Sequence, residues 1–136
     1  MRRTVLQLGA ALALLVPHQA GAAILDVGSG KTYPGPAEAM AAANAGDVIL
    51  VYAGTYAIAS PIAWVDGVSM EAAPGTAPVL DANSSGRIIT ATNCGDRRNA
   101  IVGLTLREGL AADGDAGAAL LCQMASGRGY FRLEDC

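Results

Sequence analysis

Aromatic side chains are scarce in this chain: they make up 4% of 136 residues, with one tryptophan and one phenylalanine. Charge is sparse too, since Asp, Glu, Lys and Arg together amount to 15% and the balance at pH 7 is −3. A negative balance excludes the broad basic surface of a nucleic-acid binder. Lysine occurs once, as Lys31, and histidine once, as His18. The longest apolar run, residues 5–16, is too short to cross a bilayer, which takes about 20 residues in a helix. Hydrophobic residues nevertheless reach 52%, and that excludes a disordered tail. What remains, with glycine at 17 residues, is a chain of tight turns and small packed side chains, sized for one domain or part of one.

The N-terminus explains part of the hydrophobicity. Arg2 and Arg3 precede the apolar run, and Ala20-Gly21-Ala22 supplies small residues where a signal peptidase reads. This is the pattern of a secretory signal peptide, so residues 1–22 are expected to be removed and residues 23–136 to be exported, to the periplasm, the cell surface or the medium. No cysteine follows the cleavage site to carry a lipid anchor. Removal of Arg2 and Arg3 leaves 7 basic against 12 acidic residues, a balance of −5. It also removes His18, and with it any Ser-His or Cys-His catalytic unit and any His-ligated zinc. Cys94, Cys122 and Cys136 then lie in an oxidising compartment, where disulfides persist. Three is an odd count, so at least one is unpaired within the chain. The separation of Cys94 from Cys122 is close to one coil of a β-solenoid, which leaves a bridge between neighbouring coils open to them. For Cys136 the plainer expectation is a buried, inward-facing thiol.

Along the mature chain, residues 24–27 are a short strand candidate. Gly28-Ser29-Gly30-Lys31 lacks the spacing of a phosphate loop and reads as a turn. Residues 36–43 read as a two-turn helix: Pro36 suits its first position, Ala, Glu and Met favour it, and Ala37, Met40 and Ala41 share one face. Asn44-Ala45-Gly46 is expected to end it through left-handed backbone. After Asp47 the period changes. Residues 48–52 read as a buried strand, 53–56 as a turn, and 68–70, 78–80, 87–92, 100–107, 118–122 and 130–133 as further short strands separated by turn residues. The second half repeats loosely. Leu104 and Leu106 align with Phe131 and Leu133, while Thr105 aligns with Arg132, and a period in the twenties is a solenoid signature.

Three stretches carry a family resemblance. Gly46, Asp47, Ile49, Val51, Gly54 and Tyr56 fall on the pattern GD-x-I-x-V-x-x-G-x-Y. Ile101 to Gly109 look like an I-x-G-L-T-L-x-x-G strand, and Leu133 to Cys136 like the start of an L-x-x-C-x-I strand. Together with the helix before them, these resemble the opening of pectin-lyase-like β-helix proteins, over essentially all of the mature chain. The resemblance implies an all-β fold, a right-handed parallel β-helix with a short N-terminal capping helix. A stacked solenoid needs such a cap. Nothing near Cys136 reads as a second one, so residues 23–136 are expected to be the N-terminal part of a longer solenoid, with downstream coils of the same chain following.

The superfamily includes lyases, hydrolases and epimerases of acidic polysaccharides as well as adhesins and autotransporter passengers. Its lyases hold calcium between acidic residues and the substrate and use Lys or Arg as the base. The candidates for such a set here are Asp113 and Asp115, two apart in a glycine-flanked loop, for a calcium ion, with Asp96 as a second acidic group, and Arg97 and Arg98 after it as a clamp for a carboxylate. Arg107 and Arg132 occupy outward positions of strands on neighbouring coils and are expected to line a shared face. Trp64, beside Asp66-Gly67, is the candidate platform for a sugar ring; the blander expectation is that it packs a loop against the body. The polygalacturonase pattern of paired Asp, His-Gly and Arg-x-Lys is missing. The leading expectation is therefore an exported β-helix surface or passenger-like protein that binds acidic polysaccharide, with no catalytic residue assignable in this stretch. The alternative is the N-terminal portion of a calcium-dependent polysaccharide lyase or related carbohydrate-active enzyme whose catalytic residues lie beyond Cys136. A stalk that only spaces something downstream is a third.

Overall fold

In the computed structural model of this chain, the described residues are 21–111, 117–123 and 130–136. The leader assigned to residues 1–22 thus falls almost wholly outside them. The elements are β1 (Ile24–Val27), α1 (Pro36–Ala42), β2 (Val48–Val51), β3 (Thr55–Ala57), β4 (Ile62–Ala63), β5 (Ser69–Ala72), β6 (Val79–Asp81), β7 (Ile89–Thr92), β8 (Ala100–Val102), β9 (Thr105–Arg107), β10 (Leu120–Gln123) and β11 (Arg132–Glu134).

Each strand is only two to four residues long, so none is stable alone. Stability comes from stacking. Every pairing between these strands is parallel, and they form three open sheets: β1-β2-β5-β8-β11, β3-β6-β9 and β4-β7-β10. From β2 onward the chain adds one strand to each sheet in turn and then returns to the first. The register places like on like. Leu25, Ile49, Met70 and Ile101 stand directly above one another and all face inward, the last three at 0% exposure. In the third sheet Ile62, Ile89 and Leu120 do the same. Burying each such side chain is worth roughly 1.5–3 kcal/mol over leaving it in water, and these rows are the core that joins the sheets.

The helix α1 packs against β1, β2 and β4. Its buried face is Pro36, Ala39 and Met40, continued by Ala43. Met40 Sδ accepts the Val65 N–H at 3.4 Å. This corrects the expected face: Ala37 and Ala41 are exposed. Five of the eight residues from Pro36 to Ala43 are alanine, so apolarity alone could not choose the stripe, and the Met40 contact does. Nor does the helix end through left-handed backbone, because Ala43 is extended (φ −75°, ψ 150°). Asp47 organises this end of the molecule instead. Its buried carboxylate accepts N–H groups from Ala23 (2.9 Å) and Asn44 (2.8 Å), tying the starts of β1 and β2 to the helix exit. Those bonds, the one from Ala23 foremost, hold its carboxyl below the usual range.

Two readings of the second half are corrected. Residues 100–107 are not one strand. Gly103, at φ +71°, breaks them into β8 and β9, which join different sheets. A Cβ at Gly103 would lie 3.1 Å from that of Ala72, so the corner is tight as well as left-handed. The expected repeat offset is also wrong, since Arg132 pairs with Ala100 rather than Thr105, and Leu133 with Ile101 rather than Leu106. Apolar alternation runs on through a corner, which makes two strands look like one. At the other end Thr55 and Tyr56, expected in a turn, belong to β3. The two-residue β4 was not foreseen.

Candidate functional site

The corner between β7 and β8, residues 95–99, carries two of the expected residues, Arg97 and Arg98. It is held from below by a buried amide. Asn99 is 0% exposed. Its Oδ1 accepts Trp64 Nε1–H (3.1 Å) and Gly67 N–H (2.8 Å), and its Nδ2 donates to Asp66 Oδ1 (2.7 Å) and the Asp96 carbonyl (2.7 Å). All four hydrogen-bonding positions of the amide are thus filled, as burial requires. Asp66 Oδ1 also accepts the Asp96 N–H at 3.0 Å. Burial works against ionisation of Asp66, but the Asn99 amide and the N–H groups of Asp96 and Gly95 outweigh it, and its carboxyl stays below the usual range.

Asp96 in turn sets Arg98. Its carboxylate accepts the Arg98 backbone N–H (2.9 Å) and side-chain Nε–H (2.9 and 3.1 Å), and pairs with Arg98 Nη2. The guanidinium, first through its side-chain hydrogen bond, lowers Asp96 to about 2. Neighbouring corners stack closely beneath. Gly46 N–H donates to the Gly67 carbonyl at 2.8 Å. Both glycines have left-handed φ, +99° and +87°. A Cβ on Gly46 would sit 3.0 Å from Arg98 Nη1, and one on Gly67 3.0 Å from Asp96 Oδ2.

Arg132 joins this corner from β11. Its backbone N–H donates to the Asn99 carbonyl at 3.0 Å, and its side chain pairs with Glu134 at 3.0 Å. The three arginines line a groove of about 440 Å³ together with Val48, Ser69 and Glu71. Ser69 Oγ donates to Glu71 Oε1 at 2.8 Å. Arg97 is exposed, lies 4.9 Å over the Tyr130 ring, and has no carboxylate partner among the described residues. Tyr130 is itself 48% exposed. Guanidinium groups in this arrangement suit planar, bidentate anions such as carboxylates. The exposed tyrosine offers an apolar ring beside them.

The other expected residues lie elsewhere. Arg107 is on the second sheet, where it pairs with Asp81, its direct neighbour on β6, through Nη2 and through Nε at 3.1 Å. It shares no face with Arg132, because the corner at Gly103 sends β9 into a different sheet from β8. Trp64 is 6% exposed, with its ring edge-on to Phe131 (4.9 Å between centroids, 61°). It packs the corner against the body, and the aromatic beside the arginines is Tyr130. Asp113 and Asp115 lie outside the described residues, and among the described residues no group of three or more His, Cys, Asp or Glu is placed to hold a metal ion. Cys94 and Cys122 are thiols that pack into the same core. Cys136 is exposed, against the expectation of a buried thiol.

Sequence reasoning missed Asn99, Asp66 and Tyr130. The available signal was the polar–glycine pairs at corners, Asp66-Gly67 and Gly95-Asp96, a composition common to turns that does not by itself mark a site. Comparison with protein-family models, with curated proteins and with solved structures finds no significant match.

Proposed function

We propose that this chain is an exported right-handed parallel β-helix of the pectin-lyase-like kind, capped by α1, and that it binds a carboxylate-bearing polysaccharide at the groove of Arg97, Arg98 and Arg132. The cyclic order of strands through three parallel sheets supports the solenoid reading, and parallel crossovers are right-handed in about 98% of cases. The packing of α1 over β1 and β4, an outer strand of each of two sheets, supports its role as the cap. The leader-like pattern of residues 1–22 supports export. One observation carries the binding site. Two separate segments, the corner 95–99 and β11, bring three exposed guanidinium groups to one groove. A polymer of uronate units would present a repeating planar carboxylate there. Arg97, with no acidic partner among the described residues, would engage first, while Arg98 and Arg132 would exchange Asp96 and Glu134 for the ligand.

The test is calorimetric titration of the purified protein with oligogalacturonate and with a neutral dextran of equal length, at low and high salt and with or without calcium. The expected result is binding to the uronate alone, weakened by salt, with oligomer length unchanged. Equal affinity for the dextran, or no affinity for either, would sink the reading. Calcium-dependent shortening of the oligomer would replace it with the lyase alternative.

A further inference from the structure

Two thiols face one core inside the fold, next to the corner that carries Arg97 and Arg98. Cys122 lies on β10 in direct register with Ala91 on β7. Ala91 is fully buried, so the shared pleat turns the half-buried Cys122 inward with it. Cys94 follows two residues after the end of β7 and is 0% exposed. Cys94 belongs to the buried core, and Cys122 packs against that same core. They stand on adjacent layers, Cys122 within β10 and Cys94 just past the end of β7, so a bond between them would close one full circuit of the chain. Around Cys94, its carbonyl accepts the Tyr130 N–H at 3.2 Å, and the next residue opens the corner 95–99.

We propose that Cys94 and Cys122 are a cross-linking pair, joined by a disulfide oxidant into one bridge between adjacent layers next to the arginine corner. The inference does not rest on the carbohydrate reading, since it uses only the packing of the two thiols. The chemistry is dithiol–disulfide exchange. The Cys122 thiolate, on the more accessible side chain, attacks one sulfur of the oxidant's disulfide and expels the other as a thiolate, leaving a mixed disulfide on Cys122. The Cys94 thiol then loses its proton to solvent and attacks Cys122 Sγ, expelling the second oxidant sulfur. Two S–H bonds are lost, one S–S bond forms, and the two electrons reduce the oxidant to two thiols. The order follows from burial. Burial first, and then the neighbouring Cys122, pushes the Cys94 thiol up to about 11, so Cys94 is the poor initial nucleophile and serves as the resolving one. Cys136 is exposed, its Sγ 3.2 Å from the Glu134 carbonyl and 3.4 Å from that of Ile101, and it stands apart from the pair.

The experiment uses the whole purified chain carrying Cys136→Ser, reduced, desalted and exposed to oxidised glutathione, then acid-quenched and mapped by peptide mass spectrometry. The expected product is a linked peptide pair holding Cys94 and Cys122, with no glutathione retained and a higher unfolding midpoint than the reduced protein. Cys94→Ser should instead trap glutathione on Cys122. Glutathione left on Cys122 beside a free Cys94 in the parent protein, or both thiols still free after oxidation, would overturn the proposal. Because mapping of the parent protein decides the question, a variant that fails to fold does not obscure it.

Discussion

Two aspartate–arginine pairs in this molecule look alike and do different things. Asp96–Arg98 and Asp81–Arg107 each join one carboxylate to an exposed guanidinium through Nε and Nη2. In both, the hydrogen bond from the arginine leads the lowering of the carboxyl. The second pair spans two strands in direct register, so it is a cross-strand tie on one sheet face. The first lies within a single corner, two residues apart. It ties no strands together; it fixes where Arg98 points, and the corner beneath it is fixed by Asn99. The difference lies in what is buried below. An ion pair over a flat sheet face adds a little to stability, while the same pair over a satisfied buried amide presents a charge in a set position.

The largest effect should come from removing that support. Asn99→Leu keeps the branched shape but leaves the Trp64 and Gly67 N–H groups without a buried acceptor. Each orphaned group costs about 1–3 kcal/mol, so chemical denaturation should show a loss of roughly 3 kcal/mol, together with weakened uronate binding. If binding survives at full strength, the corner is not what places the arginines. Next in size, Arg97→Ala should lower uronate affinity about tenfold, or about 1.4 kcal/mol, and leave the unfolding midpoint unchanged, as read by calorimetry and thermal melts. Arg107→Gln should do the reverse, with a small fall in midpoint and unchanged affinity. An equal loss of binding in both variants would erase the distinction between the two sites.

The smallest effect concerns acid. Asp47, Asp66, Asp81 and Asp96 all have carboxyls held below their ordinary value, Asp96 at about 2. Unfolding returns each to the ordinary value of about 3.8, where it binds a proton more readily. Their stabilisation is therefore present above that value and is lost as pH falls through the folded values toward about 2. Denaturation midpoints measured down this range should fall, and Asp96→Asn and Asp81→Asn should each flatten the fall by a similar, small amount. Midpoints that stay level in the unaltered protein would contradict it.

What could be read in the sequence was whatever depends on neighbours along the chain. The strand at Ile24–Val27 and the helix beginning at Pro36 have the expected limits to within a residue, since a short, mostly apolar stretch before a glycine turn and a proline-led alanine stretch act locally. The Gly46-Asp47 motif was legible as a pattern, and its physical content is the pair of N–H groups that Asp47 holds. What could not be read was register. In the first sheet the successive partners are Ile24 with Val48, Val48 with Ser69, Ser69 with Ala100 and Ala100 with Arg132. The steps between them are unequal, so no single period finds them. The candidate site suffers most, because it is made of corners. Arg97 and Arg98 were singled out by type, and Arg132 by its outward place in a strand, but only the unequal steps bring the three together, and only the corner at Gly103 sends Arg107 away.

Those unequal steps also say where this molecule can be rewritten. A residue inserted within β2 or β5 would turn the inward row of Ile49 and Met70 to the outside. A residue inserted in a corner only lengthens a connection whose length already varies widely from one layer to the next. The layers, roughly 4.8 Å apart, act as a fixed ruler, and the corners as blank lines on which different binding residues can be written without disturbing the scale.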